Sequence, residues 1–491
     1  MTKRRRGLRL FVGVVCSALF DGKNRYNLLS SYSHPIKMIF PALDKFAFGA
    51  RLNQVVSPAA PVRSIEHLLG RAKELDRIEK ALMLDGRNIF IYGDRGVGKS
   101  SLAATAAVQY QSSEADPIQV ACSPDVSFRD VIANIAYEAI KASRISKTKQ
   151  HNKTSLETRY LKHELSVEKT QNDIRSEIHS VVDAVDVLSE VAAIHSERPI
   201  VVIDEFDRME DSDQRKLFAD LVKQLGDRNV KLKIIFTGVG KSLIELLGAH
   251  ESAIRQLDTI MLPQLPWEAR YEIVDNALKS LGLEIDPDIR VRIAAVSDGF
   301  PSYVHKITEK ILWAMFDDPN VVHTVSWNHY HQALNDAIAE SYASFSQKYE
   351  RVVNQRNDDY EEVLWSTADS EYLRRYLADM FASYEYIMNH RQGRPRLSYD
   401  KYCARIRTLK NKACGEILIP DRTHRGMYEY RESIFRGYVR MQAEAHGIQL
   451  IGVSRPAEQR AEVKVPTSAN RGYFASTPPK GVTLDRSRKK Q

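Results

Sequence analysis

The apolar run Asn88-Ile89-Phe90-Ile91-Tyr92 stops at Gly93 and opens into Gly93-Asp94-Arg95-Gly96-Val97-Gly98-Lys99-Ser100. Helix-forming residues Ser101-Leu102-Ala103-Ala104 follow. This junction constrains the fold more than any other stretch. A short apolar run ended by glycine reads as a strand buried on both faces. A strand that turns through glycines into a helix points successive backbone N–H groups into a concavity, at the positive end of the helix dipole. The run fits GxxxxGK[ST] at every fixed position, and its chemistry is phosphate binding. Lys99 would reach the β- and γ-phosphates, and the Ser100 hydroxyl would ligate Mg²⁺. The candidate cofactor-binding residues here are Gly93, Asp94, Arg95, Gly96, Val97, Gly98, Lys99, Ser100 and Ser101.

A second buried strand ends in acid: Ile200-Val201-Val202-Ile203-Asp204-Glu205. Asp204 at the strand tip would hold Mg²⁺ with Ser100. Glu205 would orient or deprotonate the attacking water. Asp207 and Arg208, next in the chain, read equally well as a solvated loop or as part of a site. Lys233-Ile234-Ile235-Phe236-Thr237 is another buried strand. Thr237 at its tip either hydrogen-bonds the γ-phosphate or the water, or simply ends the strand. The run Gly238 to Ser242 lacks GxxxxGK spacing and is no second phosphate loop. With a strand at Pro117–Cys122 and helices over Arg71–Leu84 and Asp213–Leu225, strands alternate with helices. That order predicts an α/β fold with a mainly parallel sheet.

At 491 residues the chain has room for two to four domains, and 43% apolar against 27% charged residues supplies a real core. The net charge of +8 is unevenly spread. Residues 1–10 carry +5 and residues 453–491 carry +6, which leaves −3 for residues 11–452. A uniformly basic nucleic-acid coat is thereby excluded, and a locally basic module is not. Lys3-Arg4-Arg5-Arg6 before the apolar run Leu8 to Phe20 imitates an export signal. The run is too short to span a bilayer, and the ATP chemistry points to the cytoplasm, so it reads as a start-site artefact or a basic arm, with Met38 as an alternative start. No other segment resembles a membrane span. Four scattered cysteines, Cys16, Cys122, Cys403 and Cys414, have neither disulfide-framework nor zinc spacing, which suits a reduced cytosol.

With these motifs in place, the sequence resembles an AAA+ P-loop ATPase of the origin-recognition and Cdc-six type, near the STAND signalling ATPases. The resemblance covers roughly residues 60–315, and more loosely 355–450. Leu68-Leu69-Gly70-Arg71 resembles the stretch that lies by the adenine in both groups, which adds Gly70 and Arg71 to the cofactor-binding set. Thr237 takes the sensor-1 place. Arg255 falls where the family carries an arginine finger acting on a neighbouring subunit, or else is a surface arginine. One departure stands out. Ser297-Asp298-Gly299-Phe300-Pro301 replaces the family's Gly-Asp-x-Arg, so the sensor-2 arginine is missing and a slow switch is favoured over fast turnover. His305 and Lys306 follow, either near the phosphates or on a helix surface.

The resemblance implies an arm and linker at 1–60, an ATPase core at 61–264 with an insertion near 144–178, and a helical lid at 265–330. A winged-helix domain at 331–452 and a disordered basic tail at 453–491 would follow. Residues 391–440 hold thirteen basic residues against five acidic, after −6 over 331–390. A helix from Leu397 to about Lys412 would align Lys401, Arg405, Thr408 and Lys412 on one face. Two strands with a turn carrying Arg422 and Arg425 would form the wing, and a last helix, Ser433 to His446, would pack behind. The basic helix would enter the major groove of duplex DNA, or the module would serve protein contacts instead. The expected function is an ATP- and Mg²⁺-dependent ATPase, with Lys99, Glu205, Thr237 and Arg255 as its catalytic set. It would self-associate through the ATPase interface and control assembly or DNA engagement by nucleotide state. The rival is a STAND-like switch, for instance in defence or in a mobile element, that binds a protein partner with little turnover.

Overall fold

The computed structural model describes residues 43–57, 61–111, 115–147, 171–240, 242–244, 255–354, 359–421 and 424–451. The expectations for residues 1–37, for most of the 144–178 insertion and for the 453–491 tail fall outside them.

Strand β1 (Asn88–Tyr92) has apolar partners on both sides. Ile89 and Ile91 enter one core and Phe90 the other, the alternation that a pleated strand imposes. The same alternation holds in β3 (Ile200–Asp204), where Ile200 and Val202 share the first core while Val201 and Ile203 share the second. With β2 (Ile118–Ala121), β4 (Lys233–Gly238) and β5 (Leu257–Met261) they form an all-parallel sheet in the order β2-β3-β4-β1-β5. The α/β expectation is met. Strand β5 escaped the sequence reading, which sought continuous apolar runs, whereas this edge strand carries Asp258 and Thr259.

After α1 (Lys45–Val55), helices α2 (Ala72–Leu82) and α3 (Lys99–Tyr110) cover one face. The other is covered by α4 (Phe128–Lys147), α5 (Gln171–Glu177), α6 (Val181–His195) and α7 (Ser212–Asp227). The segment read as a linker thus contains a helix. Its Phe48 stacks on Phe316 at 4.4 Å and meets Trp313 edge-on at 4.9 Å. At the far end of the expected surface insertion, Ile174 of α5 is fully buried.

Three helices follow the sheet: α8 (Trp267–Ser280), α9 (Pro287–Val296) and α10 (Pro301–Phe316). The two-residue strands β6 (Glu284–Ile285) and β7 (Thr324–Val325) pair beside them, and α11 (Trp327–Ala339) packs on α10. The rest of the chain runs α12 (Ala343–Val353), α13 (Tyr360–Ala368), β8 (Arg374–Tyr376), α14 (Leu377–His390), α15 (Tyr399–Thr408), β9 (Leu418–Pro420), β10 (Met427–Tyr430) and α16 (Ser433–Ala445). Strands β8, β10 and β9 make a small antiparallel sheet in that order. Strand β8 was not expected.

Two features of this module correct the sequence reading. Helix α15 ends at Thr408, four residues short, because the Leu409 carbonyl accepts the Leu418 N–H at 3.3 Å and the chain turns into β9. Lys412 therefore leaves the helical face. The jump in charge is also partly internal. Arg391 pairs with Glu361 and Glu362, Arg394 with Glu362, and Arg405 with Asp359. Three of the acids before residue 390 thus meet bases after it.

Helix α16 is buried on nearly all sides. Its Arg436 grips Asp298 through two bonds of 2.6 Å, and Arg440 lies 2.8 Å from the same carboxylate. One turn on, Glu444 accepts from Arg292 of α9 and from Tyr330 of α11. Burial pushes the Arg440 guanidinium down to about 9, against the pull of Asp298.

Candidate nucleotide-binding site

The β1–α3 loop lies at the carboxyl ends of the strands, beside the tips of β3 and β4. Ligands of open parallel sheets bind at this edge. Gly96 and Gly98 hold φ of 84° and 96°, the left-handed region that lets the loop curl over the start of α3. Lys99 Nζ donates to the carbonyls of Gly93 (3.1 Å) and Asp94 (2.9 Å). Burial lowers its pKa, while Asp207, Asp94 and Asp204 oppose that shift.

At the floor, Ser100 Oγ donates to Asp204 Oδ1 at 2.9 Å. Thr237 Oγ1 also donates to Asp204 Oδ1 and accepts the Glu205 N–H at 3.1 Å. The spacing of the motifs in the chain is thus converted into one cluster of three strand and loop tips. A carboxylate and a hydroxyl side by side are the hard oxygen donors that Mg²⁺ takes, with phosphate and water completing the shell. Glu205 differs from its neighbours. Its φ of 53° turns it out of the strand, and its carboxylate, 45% exposed, pairs with Arg208 at 2.9 Å.

These residues line a cleft of about 580 Å³. Of the expected set, Arg71 and Arg95 through Ser101 line it, together with Asp204, Glu205 and Thr237. Gly70, Gly93 and Asp94 do not. Arg71 is buried beneath the loop and braces it by donating to the carbonyls of Val97 (3.0 Å) and Pro263 (2.6 Å). Desolvation lowers its pKa to about 10.

The cleft also has walls beyond the phosphate-binding and acidic motifs. Ser57, Pro61 and Val62 come from the segment after α1, and Val62 N–H donates to Ser101 Oγ at 3.1 Å. Leu265 and Ile273 come from the region of α8, and Pro301, Ser302 and His305 from α10. His305 was expected near the phosphates or on a helix surface, and it is buried in the wall. Tyr342 arrives from before α12, and the Arg95 guanidinium lies 5.4 Å from its ring centre. A β-carbon built on Gly96 would stand 2.5 Å from Ile434 Cδ1, so α16 presses on the phosphate loop itself. Local spacing carries no signal for contacts that depend on where the chain returns 240 or more residues later. The apolar Gly-x-Pro stretch was the nearest available clue.

The remaining expected residues are not part of this cleft. Arg255 is exposed, two residues before β5. It therefore sits at the amino end of the sheet, opposite the phosphate loop. Among the expected DNA contacts, Arg405 is held by Asp359 through bonds of 2.8 and 2.9 Å, and the Thr408 hydroxyl donates to the Ala404 carbonyl. Lys401, Lys412 and Arg425 are exposed, and Arg422 lies outside the described residues.

Residues 67–235 match the family model described as the AAA ATPase domain. A comparison with curated proteins finds no match. Among solved structures, the Walker-type ATPase paby2304 of Pyrococcus abyssi is similar with a TM-score of 0.48 and 14% identity, covering 78% of this chain and 98% of that one. The Aeropyrum pernix ORC2 protein has a TM-score of 0.44 and 12% identity, covering 80% of this chain and 98% of that one. The Thermotoga maritima RuvB Holliday junction branch migration motor has a TM-score of 0.38 and 14% identity, with 79% and 98% covered. Among the described residues, no helix is long and apolar enough to cross a membrane.

Proposed function

We propose that this chain, whose residues 67–235 form an AAA ATPase domain, binds and slowly hydrolyses ATP, and that its nucleotide state sets the position of the carboxyl-terminal module. The observation that carries this reading is the seat of α16. Ile434 presses on Gly96 of the phosphate loop, and Arg436 and Arg440 anchor the same helix to Asp298, just before the cleft-lining Pro301. A change in the loop on binding or losing phosphate is felt directly by α16.

Ser100 and Asp204 would hold Mg²⁺, which would neutralise phosphate charge. Lys99 would steady the phosphates, Thr237 would fix Asp204 and the water, and Glu205 would orient or deprotonate that water. Its pairing with Arg208 joins two half-exposed side chains and would slow that step only modestly, so the slow rate rests on the missing sensor-2 arginine. Lys99→Ala should abolish nucleotide binding. Glu205→Gln should keep ATP binding and stop phosphate release, measured by equilibrium binding and by phosphate production. Wild-type turnover in Glu205→Gln sinks the role given to Glu205.

We read the module of α13, β8, α14, α15, β9 and β10 as a winged helix that engages duplex DNA through Lys401, Lys412, Arg425 and the wing. The second reading, a switch that contacts a protein partner, gains from one observation: Arg391, Arg394, Arg405, Arg431, Arg436 and Arg440 are all held in ion pairs. Duplex binding against salt decides between them. Electrostatic binding should weaken steeply between roughly 50 and 200 mM. No duplex affinity at low salt, with or without ATP, leaves the protein-contact reading.

A further inference from the structure

The α10 wall of the cleft begins against the phosphate loop, with Pro301 beside Gly98, and holds polar groups that the phosphate roles above do not use. Helix α10 contributes Ser302 and His305 to this wall, three residues apart and so on one helical face. His305 is only 7% exposed. Its Nδ1 accepts the Ser57 N–H at 3.4 Å, and a backbone N–H can only donate. The ring is therefore held as one neutral tautomer with its proton on Nε2. Burial keeps it neutral by lowering its pKa to about 4. Ser302 Oγ is shielded from solvent and makes no hydrogen bond. Leu68, Leu69, Leu265 and Ile273, which line the same cleft, are apolar. A fixed polar group among apolar walls is what orients a ligand in a pocket.

We propose that His305 reads the nucleobase, its Nε2–H donating to N1 of adenine. The inference rests on the nucleotide reading above and adds a selectivity to it. In adenine N1 is a bare acceptor. In a 6-oxo purine N1 carries hydrogen, so a fixed donor meets a donor and one buried group is left unpaired. The Ser57 bond gives the segment after α1 a part in this, since it stops the ring from presenting its other tautomer.

The test is equilibrium binding of ATP, ITP and 1-deaza-ATP to the full chain. Wild type should favour ATP over both others by about tenfold or more, the effect of one unmatched buried hydrogen bond. His305→Phe should bring ATP down to the ITP level. His305→Gln, whose amide nitrogen reaches near the Nε2 position, should keep most of the preference. The 1-deaza-ATP comparison needs no substitution, so a folding defect cannot imitate it. Equal affinity of wild type for ATP and 1-deaza-ATP overturns the proposal, as does an unchanged preference in His305→Phe. If wild type binds none of the three, the nucleotide reading itself falls and this inference with it.

Discussion

Gly70 owes its identity to packing. It holds φ at +70°, and a β-carbon there would lie 2.3 Å from Ala269 Cβ, an atom fixed to the α8 backbone. Gly70→Ala should therefore destabilise the chain by about 2–4 kcal/mol, combining left-handed strain with overpacking. A lower urea midpoint at unchanged slope is the expected reading. The resemblance put Gly70 beside adenine; in the fold it packs against Ala269 while its neighbours Leu68 and Leu69 line the cleft. Lys99, Ser100 and Asp204 were legible because their chemistry is tied to fixed spacing behind a strand. Tyr342 and Ser57 were not, because what makes them part of the site is the route of the chain between them. Arg405 shows the same limit on the surface. Its place on a helical face was readable, and Asp359 at 2.8 Å was not.

At the scale of elements, α16 is the joint that sequence reasoning passed over as a packing helix. Its Arg436, Arg440 and Glu444 fall one turn apart and all point into protein. Charge on a helix usually marks a solvated face, and nothing local reveals that Asp298 and Arg292 wait to receive it. Removing the shared carboxylate would leave two buried arginines uncompensated. Asp298→Asn should cost about 3–5 kcal/mol. It should also open the region between α10 and α16 to limited proteolysis before the sheet itself yields. Unchanged cleavage sites and melting behaviour would show that the ion pairs do not hold the module in place. The short antiparallel sheet illustrates a different difficulty. Strands β9 and β10 announced themselves by apolar character around a turn, whereas the three residues of β8 pair only because β10 offers an edge.

For the molecule as a whole, the position of Arg255 bears on assembly. It precedes β5, while the phosphate loop follows β1, and the two strands run parallel in register. Five strand residues at about 3.3 Å each separate the two ends of that pair. Arg255 cannot reach its own cleft, so any part it plays in hydrolysis requires a second copy. Mixing Arg255→Ala chains with Glu205→Gln chains should restore turnover that neither has alone. No recovery over a range of ratios would reduce Arg255 to a surface residue.

One apolar cluster runs from Phe48 of α1, through Ile89 and Ile91 of β1, to Val439 of α16. The cleft lies where this cluster surfaces, with walls drawn from residues as distant as Ser57 and Tyr342. Binding energy gained there does not stay in the loop. A ligand at a hundred times its dissociation constant stabilises the folded state by about 2.7 kcal/mol. That gain is shared by every element whose melting would empty the cleft. The strap at one end of the described chain and the last helix at the other are thus thermodynamic parts of a single binding reaction, and occupancy can be read from either of them.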